Sequence, residues 1–159
     1  MQNHILKVVK QNAAQRKRQI LSALNPDRYL KKHSKQQVGR GKTVLITGAS
    51  SGLGEGMARL FAKLGYNLAI CARRTDRLER LTSELVAEYP DIRVEYRALD
   101  VSNYDEIFSV FDAFAADFDG IDRVVVNAGV GDSRRIGKGR FETNRHTVEI
   151  NFISALAQC

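Results

Sequence analysis

The sequence predicts a doubly wound α/β fold, a parallel sheet with helices on both faces. Three observations carry the prediction. From Lys42 onward, strand-like and helix-like segments alternate. The strand-like runs Val44-Leu45-Ile46, Leu68-Ala69-Ile70 and Val124-Val125-Val126 are apolar throughout, as strands buried on both faces are. A glycine-rich turn, Thr47-Gly48-Ala49-Ser50-Ser51-Gly52-Leu53-Gly54, joins the first strand to the first helix. Such a turn brings bare backbone N–H groups against a pyrophosphate.

The elements follow in order. Strands are expected over 43–47, 67–72, 93–99 and 123–127, and helices over 54–64, 75–88, 104–118 and 144–158. Gly65 offers a C-terminal cap to the first helix. Thr75-Asp76 and Ser102-Asn103 offer N-terminal caps, and Pro90 ends the second helix. The expected strand order is 3-2-1-4, which opens a crevice between strands one and four. No internal repeat or low-complexity segment is present.

Charge divides the chain into a basic arm, 1–41, and a domain, 42–159. Residues 1–42 carry 11 Lys/Arg against the single acid Asp27, a net +10, whereas residues 43–159 carry 14 Lys/Arg against 17 acids, a net −3. In the arm, Ile5, Val9, Ala13, Ile20 and Leu24 recur at steps of four or seven and share one helical face, with Arg16-Lys17-Arg18 among them. Asn25-Pro26-Asp27 stops that helix, and 29–41 reads as a polar linker. Four readings of the arm stand: an anionic membrane surface held through residues 1–24, a nucleic-acid arm, a transit peptide (though serines are sparse), or a solvated extension.

No apolar run approaches the roughly 20 residues that span a bilayer, and no secretory signal is evident. Cys71 and Cys159 form neither a disulfide framework nor a metal spacing. His4, His33 and His146 form no ligand set, so no metal is expected. The compartment expected is the cytoplasm, with membrane association through the arm as the variant.

In the glycine-rich turn, Gly48 allows the tight exit from the strand. Gly52 and Gly54 remove side chains where phosphates and the helix come close. Ser50 and Ser51 add hydroxyls for phosphate oxygens. The spacing is neither GxGxxG nor a P-loop, since no Gly-Lys-Ser/Thr follows. Cofactor choice turns on the end of the second strand. There an acid accepts a ribose 2′-OH and an Arg suits a 2′-phosphate. This chain has Ala72-Arg73-Arg74 and no acid until Asp76. NADP(H) is therefore expected, with Arg73 the first candidate and Arg74 the second. The other reading of the pair is surface ion pairing to Asp76 or Glu79, worth roughly 0–1 kcal/mol.

Over residues 42–159 the chain resembles the short-chain dehydrogenase/reductase family, in the subgroup with TGxxxGxG. Four motifs in order carry the resemblance: TGASSGLG at 47–54, Asp100-Val101 after the third strand, Asn127-Ala128-Gly129 after the fourth, and Asn151, 22 positions beyond Gly129. The resemblance implies a Rossmann-like fold. It places Gly48, Ser50, Ser51, Gly52, Leu53 and Gly54 at the pyrophosphate and Asp100 and Val101 at the adenine. It places Asn127, Ala128 and Gly129 at the ribose. Asn151 would bend its helix and hold a water in a proton relay to the catalytic Lys. Gly129, Gly131, Gly137 and Gly139 mark a loop carrying Arg134, Arg135, Lys138 and Arg140. In the family that loop borders the substrate cleft, though a solvated loop is the plainer reading.

The family's proton donor is a Tyr with a Lys four positions later, preceded by a Ser. Position +4 from Tyr29, Tyr66, Tyr89, Tyr96 and Tyr104 is His33, Ile70, Arg93, Asp100 and Phe108, so the pair is absent. The expectation is the cofactor part of a longer enzyme, or the product of a truncated reading frame. Such a chain would be inactive alone, and its uncovered fourth strand would favour association. The expected function is NADP-dependent hydride transfer between the nicotinamide and a small carbonyl/alcohol pair, by a homo-oligomer when full length. A non-catalytic NADP-binding protein acting through its arm, and a defective fragment, are the other readings.

Overall fold

The computed structural model describes residues 38–131 and 140–159. The arm helix, most of the linker and the charged loop at 132–139 lie outside the described residues. Val38–Cys159 forms one compact unit.

The unit is a parallel four-stranded sheet, in order β3-β2-β1-β4, with strands β1 (Thr43–Thr47), β2 (Asn67–Ala72), β3 (Val94–Ala98) and β4 (Arg123–Val125). The helices are α1 (Gly52–Lys63), α2 (Thr75–Glu88), α3 (Tyr104–Phe118), α4 (Phe141–Val148) and α5 (Ser154–Ala157), with a π-helical turn over Glu149–Ile153 between the last two. Register follows the apolar runs: Leu45 lies opposite Ala69 on one side and Val124 on the other, and Ile70 lies opposite Tyr96.

Alternation along the strands sorts the core into two layers. Val44, Ile46, Leu68 and Ile70 meet Ala58 and Ala62 of α1 and Leu78, Leu81 and Leu85 of α2. Leu45, Ala69 and Cys71 face the other way, against Ile107 and Phe114 of α3 and Ile150 of the π-helical turn. The Val, Leu, Ile and Phe side chains buried to this degree stabilise by about 1.5–3 kcal/mol each.

Local signals explain the boundaries. The first helix ends in a Schellman motif: the Gly65 amide donates to Ala62 O at 2.9 Å and the Tyr66 amide to Phe61 O at 3.1 Å. The Phe61 and Tyr66 rings, edge to face at 5.1 Å, supply its hydrophobic contact. Asn103 caps α3, accepting from the Glu106 amide at 3.4 Å. At α2 the expected cap is corrected. The helix begins at Thr75 as expected, but Arg74 stands at the capping position, and Thr75 and Asp76 lie in the first turn, where the carboxylate suits the helix dipole. Strand β4 stops two residues short of Asn127, because the Asn127 and Ala128 amides turn away from the ladder to the Thr47 hydroxyl. The last helical stretch begins at Phe141, three residues early, and is broken by its π-helical turn.

Candidate functional site

The site forms where β1 and β4 end. Thr47 is fully buried and closes the apolar β1 with a hydroxyl. Its Oγ1 accepts the Asn127 amide at 3.1 Å and the Ala128 amide at 3.0 Å. In return, Asn127 Nδ2 donates to Thr47 O at 3.0 Å and Gly48 O at 3.3 Å. These bonds staple the end of β4 to the glycine-rich turn. Thr47→Val keeps the shape but orphans two part-buried amides. It is expected to cost about 1–3 kcal/mol, read as a lower urea midpoint, with Thr47→Ser restoring most of it.

Gly48 takes φ 68°, and a Cβ there would lie 2.8 Å from Ala128 Cα, so the turn and the Asn127-Ala128-Gly129 segment can meet only at glycine. Past it the chain reaches Ser51, extended at φ −172°, and enters α1, whose first amides lack partners within the helix.

Between the turn, the end of β2 and the loops after β3 and β4 lies a cleft of about 290 Å³. It is lined by Gly48, Ser50, Ser51, Leu53, Arg73, Arg74, Asp100, Val101, Asn127, Ala128 and Gly129. The structure thus gathers eleven of the thirteen cofactor candidates around one space. Of the other two, Gly52 at φ 58° has open space where a Cβ would stand, and Gly54 packs against the turn itself.

The two arginines behave differently. The Arg74 guanidinium reaches back over the turn, donating to Ser50 Oγ at 3.1 and 3.3 Å and to Ser51 Oγ at 2.7 Å. Both serine oxygens are thereby occupied as acceptors, which leaves their protons to donate outward. Arg73 is exposed on the cleft rim. Across from it, Asp100 accepts the Ser102 amide at 3.0 Å and the Ser102 hydroxyl at 2.8 Å. The bond from the Ser102 amide, then that from its hydroxyl, hold the carboxyl below its ordinary pKa, with the charges of Arg73 and His146 adding to the effect.

Asn151 sits in the π-helical turn. Its amide pairs both ways with one backbone unit: the Val130 amide donates to Oδ1 at 2.8 Å and Nδ2 donates to Val130 O at 2.7 Å. A Cβ on Gly129 would stand 3.2 Å from that Oδ1. The turn's neighbour Ile150 lines the cleft.

Sequence reasoning passed over Thr47, Leu99, Val130 and Ile150. A buried-strand pattern ending in a lone hydroxyl residue was the available signal for Thr47, whereas Val130 works through its backbone and leaves no mark in residue type. Cys71 also lines the cleft, but burial pushes its thiol up to about 12. In the folded protein, iodoacetamide is expected to label the exposed Cys159 and spare Cys71, with mass spectrometry of the peptides as the readout. Among the described residues no three His, Cys, Asp or Glu side chains converge as a metal site requires, and no helix is long and apolar enough to cross a membrane.

Comparison with known proteins agrees with this geometry. The family model described as short chain dehydrogenase matches residues 42–159. An uncharacterized oxidoreductase of Mycobacterium tuberculosis is 51% identical over 115 residues, 72% of this chain and 46% of its own length. Dehydrogenase/reductase SDR family member 11 of Gallus gallus is 34% identical over 120 residues, 75% of this chain and 46% of its own. Among solved structures, an alcohol dehydrogenase of Thermococcus sibiricus complexed with 5-hydroxy-NADP superposes with a TM-score of 0.70 at 37% identity, covering 74% of this chain and 49% of that one. L-sorbose reductase of Gluconobacter frateurii, complexed with NADPH and L-sorbose, gives 0.70 at 31%, covering 77% and 47%. The chain spans about half the length of the relatives it matches. With the sheet order, the glycine-rich turn and the match over 42–159 in agreement, the chain belongs to the short-chain dehydrogenase/reductase family.

Proposed function

We propose that the protein is an NADP-dependent oxidoreductase that moves a hydride between the nicotinamide and a small carbonyl/alcohol pair. The carrying observation is the Arg74 guanidinium held over Ser50 and Ser51 at the end of β2, where an acid would instead accept a ribose hydroxyl. The residues present fit such a cofactor. Gly52 leaves open space at the turn, the first amides of α1 are unpaired within the helix, and a cation and two hydroxyl donors stand at the cleft mouth. The T. sibiricus and G. frateurii neighbours were solved with a 5-hydroxy-NADP and with NADPH, which supports the choice over NAD.

When bound, the nicotinamide supplies or accepts the hydride. The chain's own contributions are binding and orientation. Gly48, Ser50, Ser51, Gly52, Leu53 and Gly54 would cradle the pyrophosphate, and Arg74, with Arg73 on the rim, would take the 2′-phosphate. Asp100 and Val101 would border the adenine. Asn127 to Gly129 would back the ribose, with the Asn127 amide spent on holding the turn. Asn151 would serve a proton relay through its turn's backbone, since its side chain is engaged by Val130.

None of the five tyrosines has Lys at +4, so these residues lack the family's proton donor. The basic arm, with 10 Lys/Arg against one acid over residues 1–41, favours one second reading: a non-catalytic NADP-binding protein whose residues 1–24 meet an anionic membrane surface. The whole protein incubated with NADPH and a panel of small ketones and aldehydes separates the two. NADPH consumption matched by alcohol formation supports the oxidoreductase. Tight NADPH binding without turnover, with salt-sensitive vesicle binding lost on deletion of residues 1–40, supports the second reading.

A further inference from the structure

The helical segment after the loop is interrupted next to the cleft. Over Glu149–Ile153 the backbone widens into a π-helical turn, and the Ser154 amide donates to Glu149 O, five residues back. Such turns are unfavourable in a helix left to itself and persist where something outside holds them.

Three consecutive residues of this turn are each held by a separate bond. The Glu149 carboxylate accepts the Tyr104 phenol. The Ile150 carbonyl accepts the Ser154 hydroxyl. The Asn151 amide pairs with the Val130 backbone. Only the Ser154 bond comes from within the same helical segment. Tyr104 is the first residue of α3, three positions after Val101 and four after Asp100, both of which line the cleft. Ile150 and Val130 line it too. The Tyr104–Glu149 bond therefore ties the segment carrying Asp100 and Val101 to the turn carrying Ile150 and Asn151. The same bond, first among the causes, raises the phenol above its ordinary pKa.

We propose that Tyr104 and Glu149 are positioning residues, whose hydrogen bond holds the π-helical turn in register and so places Asn151 on Val130 and Ile150 at the cleft. The alternative state is a regular α-helix with one residue fewer in the wide turn. One residue of an α-helix is about 100° of rotation, so relaxation would swing Asn151 away from Val130 or α4 away from α5. Ser154 cannot prevent this, because a serine hydroxyl bonds a carbonyl one turn back in ordinary helices as well. Tyr104 can, because it is fixed on another element.

The test is hydrogen–deuterium exchange on the full-length protein without cofactor, in peptides covering 126–131 and 148–156, with 43–48 as the control. Tyr104→Phe and Glu149→Ala should each speed exchange in the first two peptides about tenfold, the scale of one lost charge-assisted hydrogen bond. The double variant should add nothing further. Glu149→Gln, which keeps an oxygen acceptor, should stay within about threefold of wild type. Unchanged exchange in Tyr104→Phe overturns the proposal, as does equal acceleration of 43–48, which would mean general loss of stability.

The consequence for the cofactor rests on the proposed function: the NADPH Kd should weaken in parallel in Tyr104→Phe and recover in Glu149→Gln relative to Glu149→Ala. Should the wild-type protein fail to bind NADPH, that functional reading falls, and the exchange result still decides the role of the pair.

Discussion

Replacing Arg74 by Ala is expected to weaken NADPH binding about ten- to hundredfold and to leave NADH binding within about twofold. The range is that of hydrogen bonds to a charged partner, about 1.5–3 kcal/mol. The argument rests on placement. The guanidinium is held 2.7 Å from Ser51 Oγ and 3.1 Å from Ser50 Oγ. Little further ordering is then needed to bind a phosphate that those hydroxyls also reach. Both arginines are exposed, but Arg73 stands on the cleft rim without the serine contacts that hold Arg74, so Arg73→Ala should cost only a few-fold. Sequence order alone puts Arg73 first, and the structure gives reason to reverse that ranking. Paired NADPH and NADH titrations of the two variants check it. A larger loss at Arg73 than at Arg74 would contradict the assignment.

Gly54→Val is expected to be the most damaging single substitution in the turn. A Cβ at Gly54 would stand 2.3 Å from Gly48 O, 2.6 Å from Asn127 Nδ2 and 2.9 Å from Gly48 C. Two of those atoms are backbone, and the third is fixed by its bonds to Thr47 O and Gly48 O, so nothing flexible can yield. Overpacking against a rigid neighbour costs about 3 kcal/mol, a large share of the 5–15 kcal/mol that typically holds a domain together. Two controls isolate the cause. At Gly52, a Cβ meets nothing, but φ is 58°, so Gly52→Ala should cost about 1–2 kcal/mol through backbone strain alone. At Gly56, inside α1, a Cβ also meets nothing and φ is not positive, so Gly56→Ala should stabilise by about 0.5–1 kcal/mol. Urea midpoints that rank Gly56→Ala above wild type, then Gly52→Ala, then Gly54→Val bear this out. A Gly54→Val midpoint equal to that of Gly52→Ala would refute the packing argument.

Much of the fold was legible in residue order. Buried parallel strands leave unbroken apolar runs, and β1 and β2 fall where Val44-Leu45-Ile46 and Leu68-Ala69-Ile70 place them. The order 3-2-1-4 is the one expected of a doubly wound sheet whose glycine-rich turn follows the first strand. What escaped depends on side chains answering distant partners. The end of β4 is set by a threonine 80 positions earlier. The N-terminus of α2 needed no Thr75 cap, since Arg74 occupies that position and turns its side chain to the serines. The site was readable to the extent that it consists of glycines and charges in a local run. The link between Tyr104 and Glu149, 45 positions apart, leaves no local signature.

The central claim is that the cleft above β1 and β4 takes a dinucleotide bearing a 2′-phosphate. Isothermal titration of the whole wild-type protein with NADPH and, separately, NADH tests it most directly. The account predicts one NADPH site per chain, bound at least about tenfold more tightly than NADH, since one well-placed charged contact is worth that much. Equal affinity for the two, or preference for NADH, would contradict it.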